Sequence, residues 1–120
     1  MARESDDITM SADELLEFLA TQRTVALATL EPDGSLWCSV ERFVVDGEEM
    51  RLDVEPTSRT GRNLAADARV CGIVENASTN YYEIRSAIVH ATARLDADGR
   101  NRLALDDVLT FDFSKIRDRF

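Results

Sequence analysis

The sequence predicts a mainly β fold, a small six-stranded antiparallel barrel with short flanking helices. Short apolar segments rich in β-branched residues recur along the chain, and tight turns separate most of them. Tight turns join antiparallel neighbours, and closing such a sheet into a barrel removes its unpaired edges. The 120 residues fit one domain, which we expect to span the chain, with residues 1–10 as a flexible N-terminus.

The first half of the chain predicts one helix and three strands. Ser11 and Glu14 form a capping-box pattern at the start of the helix SADELLEFLA. The strands are TVALATL, SLWCSVERFVV and EMRLDV, and the turn signals between them are EPDG and Asp46-Gly47. Alternation divides the second strand into one face with Trp37, Ser39, Glu41 and Phe43 and another with Leu36, Cys38, Val40, Arg42 and Val44.

The second half predicts one more helix and three more strands. The segment SRTGRNLAAD is the helix, and RVCGIVEN is a buried fourth strand. The fifth strand, YYEIRSAIVHATARL, is long enough that we expect a bend or bulge in it. RNRLALDD predicts a turn or brief helix, and VLTFDF is the sixth strand.

The charge and hydropathy of the chain disfavour two classes of partner. The net charge is −9, from 14 basic and 23 acidic residues, whereas nucleic-acid binding needs a strong basic face. No apolar run approaches the length of a membrane span, and MARESDDITM lacks the apolar core of a signal peptide. We therefore expect a cytoplasmic protein without a nucleic-acid or membrane partner.

The cysteines and the single histidine suggest no metal or nucleophilic site. Cys38 and Cys71 lie in apolar runs with no metal-ligand spacing, so we expect buried free thiols. His90 lies on a predicted buried strand, which favours a structural role over that of a proton donor. Without a catalytic triad pattern, any chemistry has to come from a bound cofactor.

The hydroxyl-rich turn before the second helix is a candidate phosphate site. Backbone N–H groups and the helix dipole favour an anion at a helix start. Arginine binds phosphate bidentately, and hydroxyls add donors. The residues that could take part are Thr57, Ser58, Arg59, Thr60 and Arg62. The alternative is a capped surface helix whose arginines pair with nearby acids.

Four segments in this order resemble a known family. They are VALATLEPDGSL, FVVDGEEMRLDV, SRTGRNLAADARVCGIVE and AIVHATARL. The pattern is similar to that of the flavin-binding split-barrel proteins, the pyridoxamine 5'-phosphate oxidase-like superfamily. The resemblance covers roughly residues 15–95 and, more loosely, the last strand. It implies a split-barrel fold.

The resemblance also implies a function. Members bind flavin mononucleotide (FMN), or in some branches a deazaflavin, at a homodimer interface and oxidise or reduce small molecules; others bind haem. On this chain the implied cofactor-binding residues are Arg42, Thr57, Ser58, Arg59, Thr60, Arg62 and Asn63. The implied partners are a second copy of the chain and a small-molecule substrate, and no catalytic residue is assigned.

Two departures from the family pattern keep other functions open. The phosphate-binding lysine of the family corresponds to Thr60, and only about a dozen residues separate Leu95 from Val108, where the family has a longer helical segment. A cofactor-free dimer with a binding or structural role is therefore an alternative. A deazaflavin reductase would want more basic residues along the groove than the sequence reveals.

Individual side chains have structural alternatives as well. Arg42 could face a flavin or pair with Glu41 or Glu49, because a buried charge needs a partner. We expect Trp37 in the core or the dimer interface and the two tyrosines of the fifth strand near the interface.

Overall fold

The computed structural model of the protein describes residues 8–117. In chain order its elements are α1 (Ala12–Ala20), β1 (Thr24–Leu30), β2 (Leu36–Asp46), β3 (Glu49–Asp53), α2 (Arg59–Ala66), β4 (Arg69–Glu75), a 3-10 turn (Tyr81–Glu83), β5 (Arg85–Thr92), β6 (Arg94–Leu95), β7 (Asn101–Ala104), β8 (Val108–Asp112) and α3 (Ser114–Arg117).

The strands form one antiparallel sheet that curls into a split barrel. Their order is β6-β7-β3-β2-β1-β4-β5-β8, so each hairpin predicted from a tight turn pairs neighbouring strands. The predicted fold class is confirmed. The described residues form eight strands rather than the predicted six, and both additional strands lie near the segment that joins the fifth predicted strand to the last.

The prediction of a turn or brief helix for RNRLALDD was wrong. Four of its residues form β7, which pairs with β3 and places Leu103 opposite Met50. Both side chains are fully buried. The alternation in this segment is too short, and too rich in arginine, to reveal a strand by itself. The segment becomes a strand because it pairs with the edge of β3.

The predicted bend in the long fifth strand is confirmed. The segment divides into the 3-10 turn, β5 and the two-residue β6, with the break at Ala93. Tyr81 and Tyr82 lie in the 3-10 turn rather than on the strand. The Asn80 side chain accepts a hydrogen bond from the Tyr82 N–H (3.0 Å), and this cap favours the turn over the extended chain.

The core lies between the inner face of the sheet and α1. The predicted capping box starts this helix: Ser11 Oγ accepts from the Glu14 N–H, and Glu14 Oε1 accepts from the Ser11 N–H. Phe18 and Leu19 on α1 are fully buried. Of the predicted flexible N-terminus, residues 1–7 lie outside the described residues, and Ile8 is buried.

Three of the predicted buried side chains lie on the outer face of the sheet instead. Cys38 is exposed, Cys71 is half-buried, and both are free thiols. His90 is exposed and lies opposite Cys71 in the strand register. The prediction of burial assumed that apolar runs are covered on both sides, whereas this face of the monomer is open. Within the described residues, no helix is long and apolar enough to cross a membrane.

Candidate functional site

The predicted phosphate-binding hydroxyls begin with Ser58, which caps α2. Ser58 Oγ accepts from the Gly61 N–H (3.0 Å) and donates to the Glu55 carbonyl (2.7 Å). This is an ordinary N-cap, and it satisfies one of the free donors of the first turn. The N–H groups of Arg59 and Thr60 belong to the first turn and have no intrahelical acceptor, and Thr60 is buried.

Thr60 and Asn63 point into the protein rather than away from it. Thr60 is 3% exposed, and its Oγ1 accepts from Trp37 Nε1 (3.2 Å) and shares a hydrogen bond with Ser39 Oγ (2.7 Å). Asn63 Nδ2 donates to the buried Thr29 Oγ1 (3.2 Å). These hydrogen bonds connect α2 to β1 and β2 through buried polar groups.

The two arginines at the start of α2 differ in the partners that their side chains contact. Arg59 forms an ion pair with Glu31, whose side chain is 10% exposed, and lies over the ring of Trp37 at 4.0 Å. Arg62 is exposed, and its Nη1 donates to the Thr57 carbonyl (3.3 Å). Of this pair, Arg62 therefore keeps the charge that is more available to an anion.

Arg42 lies away from the other predicted site residues. Burial along β2 alternates as predicted, so Arg42 extends from the face opposite that of Trp37 and Ser39. It lies in register with Thr24 of β1 and Asp53 of β3. The structure thus brings Thr57–Asn63 together at the start of α2 and places Arg42 in a separate site on the outer face.

That separate site is a cleft of about 550 Å³, which we call the arginine cleft. Phe43 and Leu52 are its buried lining residues. The exposed residues that line it are Arg23, Thr24, Arg42, Val44, Arg51, Asp53 and Arg100. Sequence reasoning found Arg42 and missed the other three arginines. Counting the register from the Asp46-Gly47 hairpin could have found Arg51, which is diagonal to Arg42.

Three arginines of the cleft have no acidic partner. Asp53 pairs with Arg100 (2.8 Å), and within residues 8–117 no carboxylate lies within 4.0 Å of the guanidinium of Arg23, Arg42 or Arg51. The alternative pairing of Arg42 with Glu41 or Glu49 is not formed among the described residues, and Glu49 is bound by Arg94 and Arg102 instead.

The acids next to the cleft belong to a separate ion-pair network. Arg102 contacts Asp46 and Asp96 at 2.8 Å and Glu49 at 3.5 Å. Hydrogen bonds from the Arg102 guanidinium and the Arg100 N–H lower the pKa of Asp96 to about 2, and bonds to Asp96 and Asp46 raise the pKa of Arg102. These acids are therefore hydrogen-bonded within this network rather than to Arg23, Arg42 or Arg51.

Beside the cleft the sheet exposes apolar side chains. One row of register partners runs across five strands, from Val40 on β2 to Leu109 on β8. Val40 is 71% exposed and Leu36 is 70% exposed. We call the following set the outer apolar face: Ala26, Leu36, Val40, Ile73, Ile88 and Leu109. Contiguous apolar exposure of this kind marks an interaction surface.

The family model of pyridoxamine 5'-phosphate oxidase matches residues 11–118. The curled antiparallel sheet is the barrel of this class of protein, and the match covers all eight described strands of it. The chain belongs to the pyridoxamine 5'-phosphate oxidase family, as its sequence motifs suggested. No curated protein gives a significant match.

Solved structures share the fold at low sequence identity. A conserved hypothetical protein of Mycobacterium tuberculosis is 20% identical with a TM-score of 0.85, over 97% of this chain and 93% of its own. An FAD binding protein of Mycobacterium smegmatis is 16% identical with a TM-score of 0.67, over 85% and 94%. A heme binding protein of the same organism is 18% identical with a TM-score of 0.63, over 90% and 60%.

Proposed function

We propose that the protein is a homodimer that binds FMN at its subunit interface and oxidises or reduces a small molecule. One observation carries the proposal: the outer apolar face is continuous, along β2, with a cleft lined by arginines. A flavin needs an apolar cover for its ring and cations for its anionic groups. Family membership and a flavin-binding structural neighbour support this choice of cofactor.

The exposed apolar side chains of the sheet support the dimer. A row of apolar side chains that crosses five strands is broader than the isolated apolar residues common on protein surfaces. In a dimer with a two-fold axis, this patch on one subunit would cover the same patch on the other. Association would bury Val40 and Leu36 and would place the arginine cleft at the rim of the interface. A flavin lying there would contact both subunits.

The start of α2 has donors suited to the flavin phosphate. The N–H group of Arg59, the helix dipole and the exposed Arg62 suit an anion. Arg42 would assist from the other face of β2, near the ring. The flavin, when bound, accepts or donates hydride or electrons, and the side chains of this chain bind and orient it.

The test of cofactor binding is the absorbance spectrum of purified protein after incubation with FMN and desalting. Retained visible absorbance bands of a bound flavin are the expected result. Arg62→Ala should weaken FMN binding about tenfold, the usual loss for one charge-assisted hydrogen bond. Arg69→Ala is the matched control, since Arg69 is exposed and pairs with Asp67. A wild-type protein that loses added FMN and stays colourless would overturn the proposal.

The test of the dimer is sedimentation at micromolar concentration. Val40→Glu puts a charge at the most exposed apolar position of the face and should shift the protein to monomer. Leu95→Glu is the control, because Leu95 is also exposed but lies on β6 at the far edge of the sheet. Wild-type protein that sediments as a monomer would refute the shared site.

The second candidate is a cofactor-free dimer with a binding or structural role. The observation that favours it is Thr60, which stands at the position of the family's lysine and is buried in hydrogen bonds to Trp37 and Ser39. A deazaflavin belongs in the same binding assay, because the arginine cleft supplies basic residues that the sequence alone did not reveal.

A further inference from the structure

We propose that Cys71 and His90 form a binding site for a soft metal ion, with monovalent copper as the best fit. The pair lies on the outer face of β4 and β5, apart from the arginine cleft and from the start of α2. The proposal goes beyond the flavin function and does not rest on it. The spacing of the two residues along the chain matches no metal motif, and only the strand register brings them together.

The strand register places the two side chains next to each other. Cys71 lies directly opposite His90 in the antiparallel pair of β4 and β5. The His90 N–H donates to the Asp107 carbonyl (3.0 Å), so the backbone polar groups of His90 point toward β8 and away from Cys71. The two residues therefore form a non-hydrogen-bonded pair, in which side chains are closer than in the hydrogen-bonded kind. Cβ atoms of directly opposite residues stand roughly 4.5–5.5 Å apart, which leaves a metal ion within reach of both side chains.

The two ligand atoms would be the Cys71 sulfur and a ring nitrogen of His90, and both are free to bind an ion. Cys71 is a half-buried free thiol, and His90 is exposed. Within residues 8–117 neither side chain forms a hydrogen bond or an ion pair. A structural histidine in the core would have hydrogen-bond partners, whereas the His90 ring lies on an open face. No contact has to break before a metal ion binds.

The surroundings of the pair suit a cation. On one side lie Ile73 and Ile88, opposite each other in the same register and part of the outer apolar face. On the other side lies Arg69, whose guanidinium is already bonded to Asp67 at 2.7 and 3.0 Å. The apolar neighbours limit the access of water to a bound ion, and the flanking arginine has its own counter-ion. The net charge of −9 also favours a cation over an anion here.

The ligand set limits the choice of metal. Thiolate is a soft ligand that selects monovalent copper or zinc, and imidazole suits both elements. Structural zinc takes four ligands in a tetrahedron, but the described residues contain no group of three or more His, Cys, Asp or Glu side chains that could hold a metal. Monovalent copper is stable with two ligands, so it fits this pair better than zinc. Binding forms a sulfur–copper bond, releases the thiol proton to water and transfers no electron.

Cys38 provides an internal control, because it is a second thiol on the same face. Its register partner on β1 is Ala28, which is also the β1 partner of Cys71. The two cysteines are therefore two strands apart, about 9–10 Å at the usual strand spacing, too far to bind one ion together. Cys38 has an alanine beside it where Cys71 also has a histidine, so only Cys71 has a second ligand.

Titration of the reduced full chain in the absence of oxygen tests the site, with monovalent copper held by the chelator bicinchoninate. We expect the protein to take one copper ion per chain from the chelator. Cys71→Ser and His90→Leu should each abolish this transfer. His90→Met should retain it, because a thioether binds monovalent copper and methionine is close to leucine in size. Cys38→Ser should bind copper within about twofold of wild type, as expected for an independent position.

The proton NMR signals of the His90 ring give a second readout. His90 is the single histidine of the chain, so its ring signals can be identified without further assignment. Monovalent copper is diamagnetic, and these signals should shift as the ion is added to wild type and to Cys38→Ser. No transfer of copper from the chelator, unchanged ring signals while copper binds, or equal losses in Cys38→Ser and Cys71→Ser would overturn the site. None of these results depends on FMN, so failure of the copper site leaves the flavin proposal unaffected.

Discussion

The start of α2 and the arginine cleft both gather arginines, but the side chains of the two regions make different contacts. At α2, Ser58 caps the helix, Thr60 is buried against Trp37, and Arg59 is paired with Glu31. In the cleft, Arg42 and Arg51 have no acidic partner among the described residues. Residue types make both regions candidate anion sites, whereas only the contacts show which arginines already have an acidic partner.

The largest effect on this comparison is expected from Gly61→Ala. A Cβ there would overlap the carbonyl oxygen of Glu55 and lie 2.9 Å from the backbone of Pro56. Backbone atoms cannot move aside as a flexible side chain can, so α2 would have to shift, at a loss of about 3 kcal/mol in the free energy of unfolding. Denaturant titration measures this change.

Gly34→Ala is the control for the Gly61 substitution. Gly34 has φ +87° but open space around it, so alanine there costs only backbone strain of about 1 kcal/mol. The Gly61 variant should also lose the hydrogen bonds of Thr60 and retain the arginine cleft. Equal losses at the two glycines would show that the close packing of α2 has little energetic weight.

A smaller loss is expected from Thr60→Val, which keeps the shape of the side chain and removes its hydroxyl. Trp37 Nε1 would then lose its acceptor, and Ser39 would lose its partner, at a cost of about 2 kcal/mol. Thr60→Ser retains the hydroxyl and serves as the control. The fluorescence of Trp37, the single tryptophan, reports the change. Wild-type stability in the valine variant would show that the cluster is not a structural anchor.

The comparison also shows what could be predicted from the sequence. Turn signals and alternation gave the hairpins, the two faces of β2 and the split barrel, because these depend on local chemistry and strand period. β7 was missed because its pairing with β3 is a long-range contact. The burial of Cys38 and His90 was wrong because an apolar run cannot tell which of its faces remains open in the monomer.

The candidate site was predicted in part for the same reason. Thr57–Asn63 are consecutive, so their proximity could be predicted from the sequence. Arg23, Arg51 and Arg100 come from distant segments, and only the sheet register gathers them around Arg42. The sequence also could not show that Thr60 is buried, since this depends on how α2 packs against β2.

The smallest expected effect is the most direct test of the difference between the two regions. Glu31→Gln removes the acid that pairs with Arg59 and leaves the backbone bonds of its turn in place. Arg59 would then lose its ion pair with Glu31, which leaves more positive charge at the start of α2. We expect pyrophosphate affinity there to rise two- to fivefold, the effect of about 0.3–1 kcal/mol at an exposed helix start. The measurement belongs in an Arg51→Ala background, where the cleft contributes least.

Asp67→Asn in the same background controls for the change in net charge, because it releases Arg69 at the other end of α2. An equal rise in both variants would show that affinity follows total charge and that the helix start has no specific role. A rise confined to Glu31→Gln would show that the first turn of α2 can bind an anion. It would also show that the ion pair between Glu31 and Arg59 lowers the affinity for that anion. No rise in either would mean that the buried hydroxyls leave too few donors, which would favour the cleft as the main anion site of the chain.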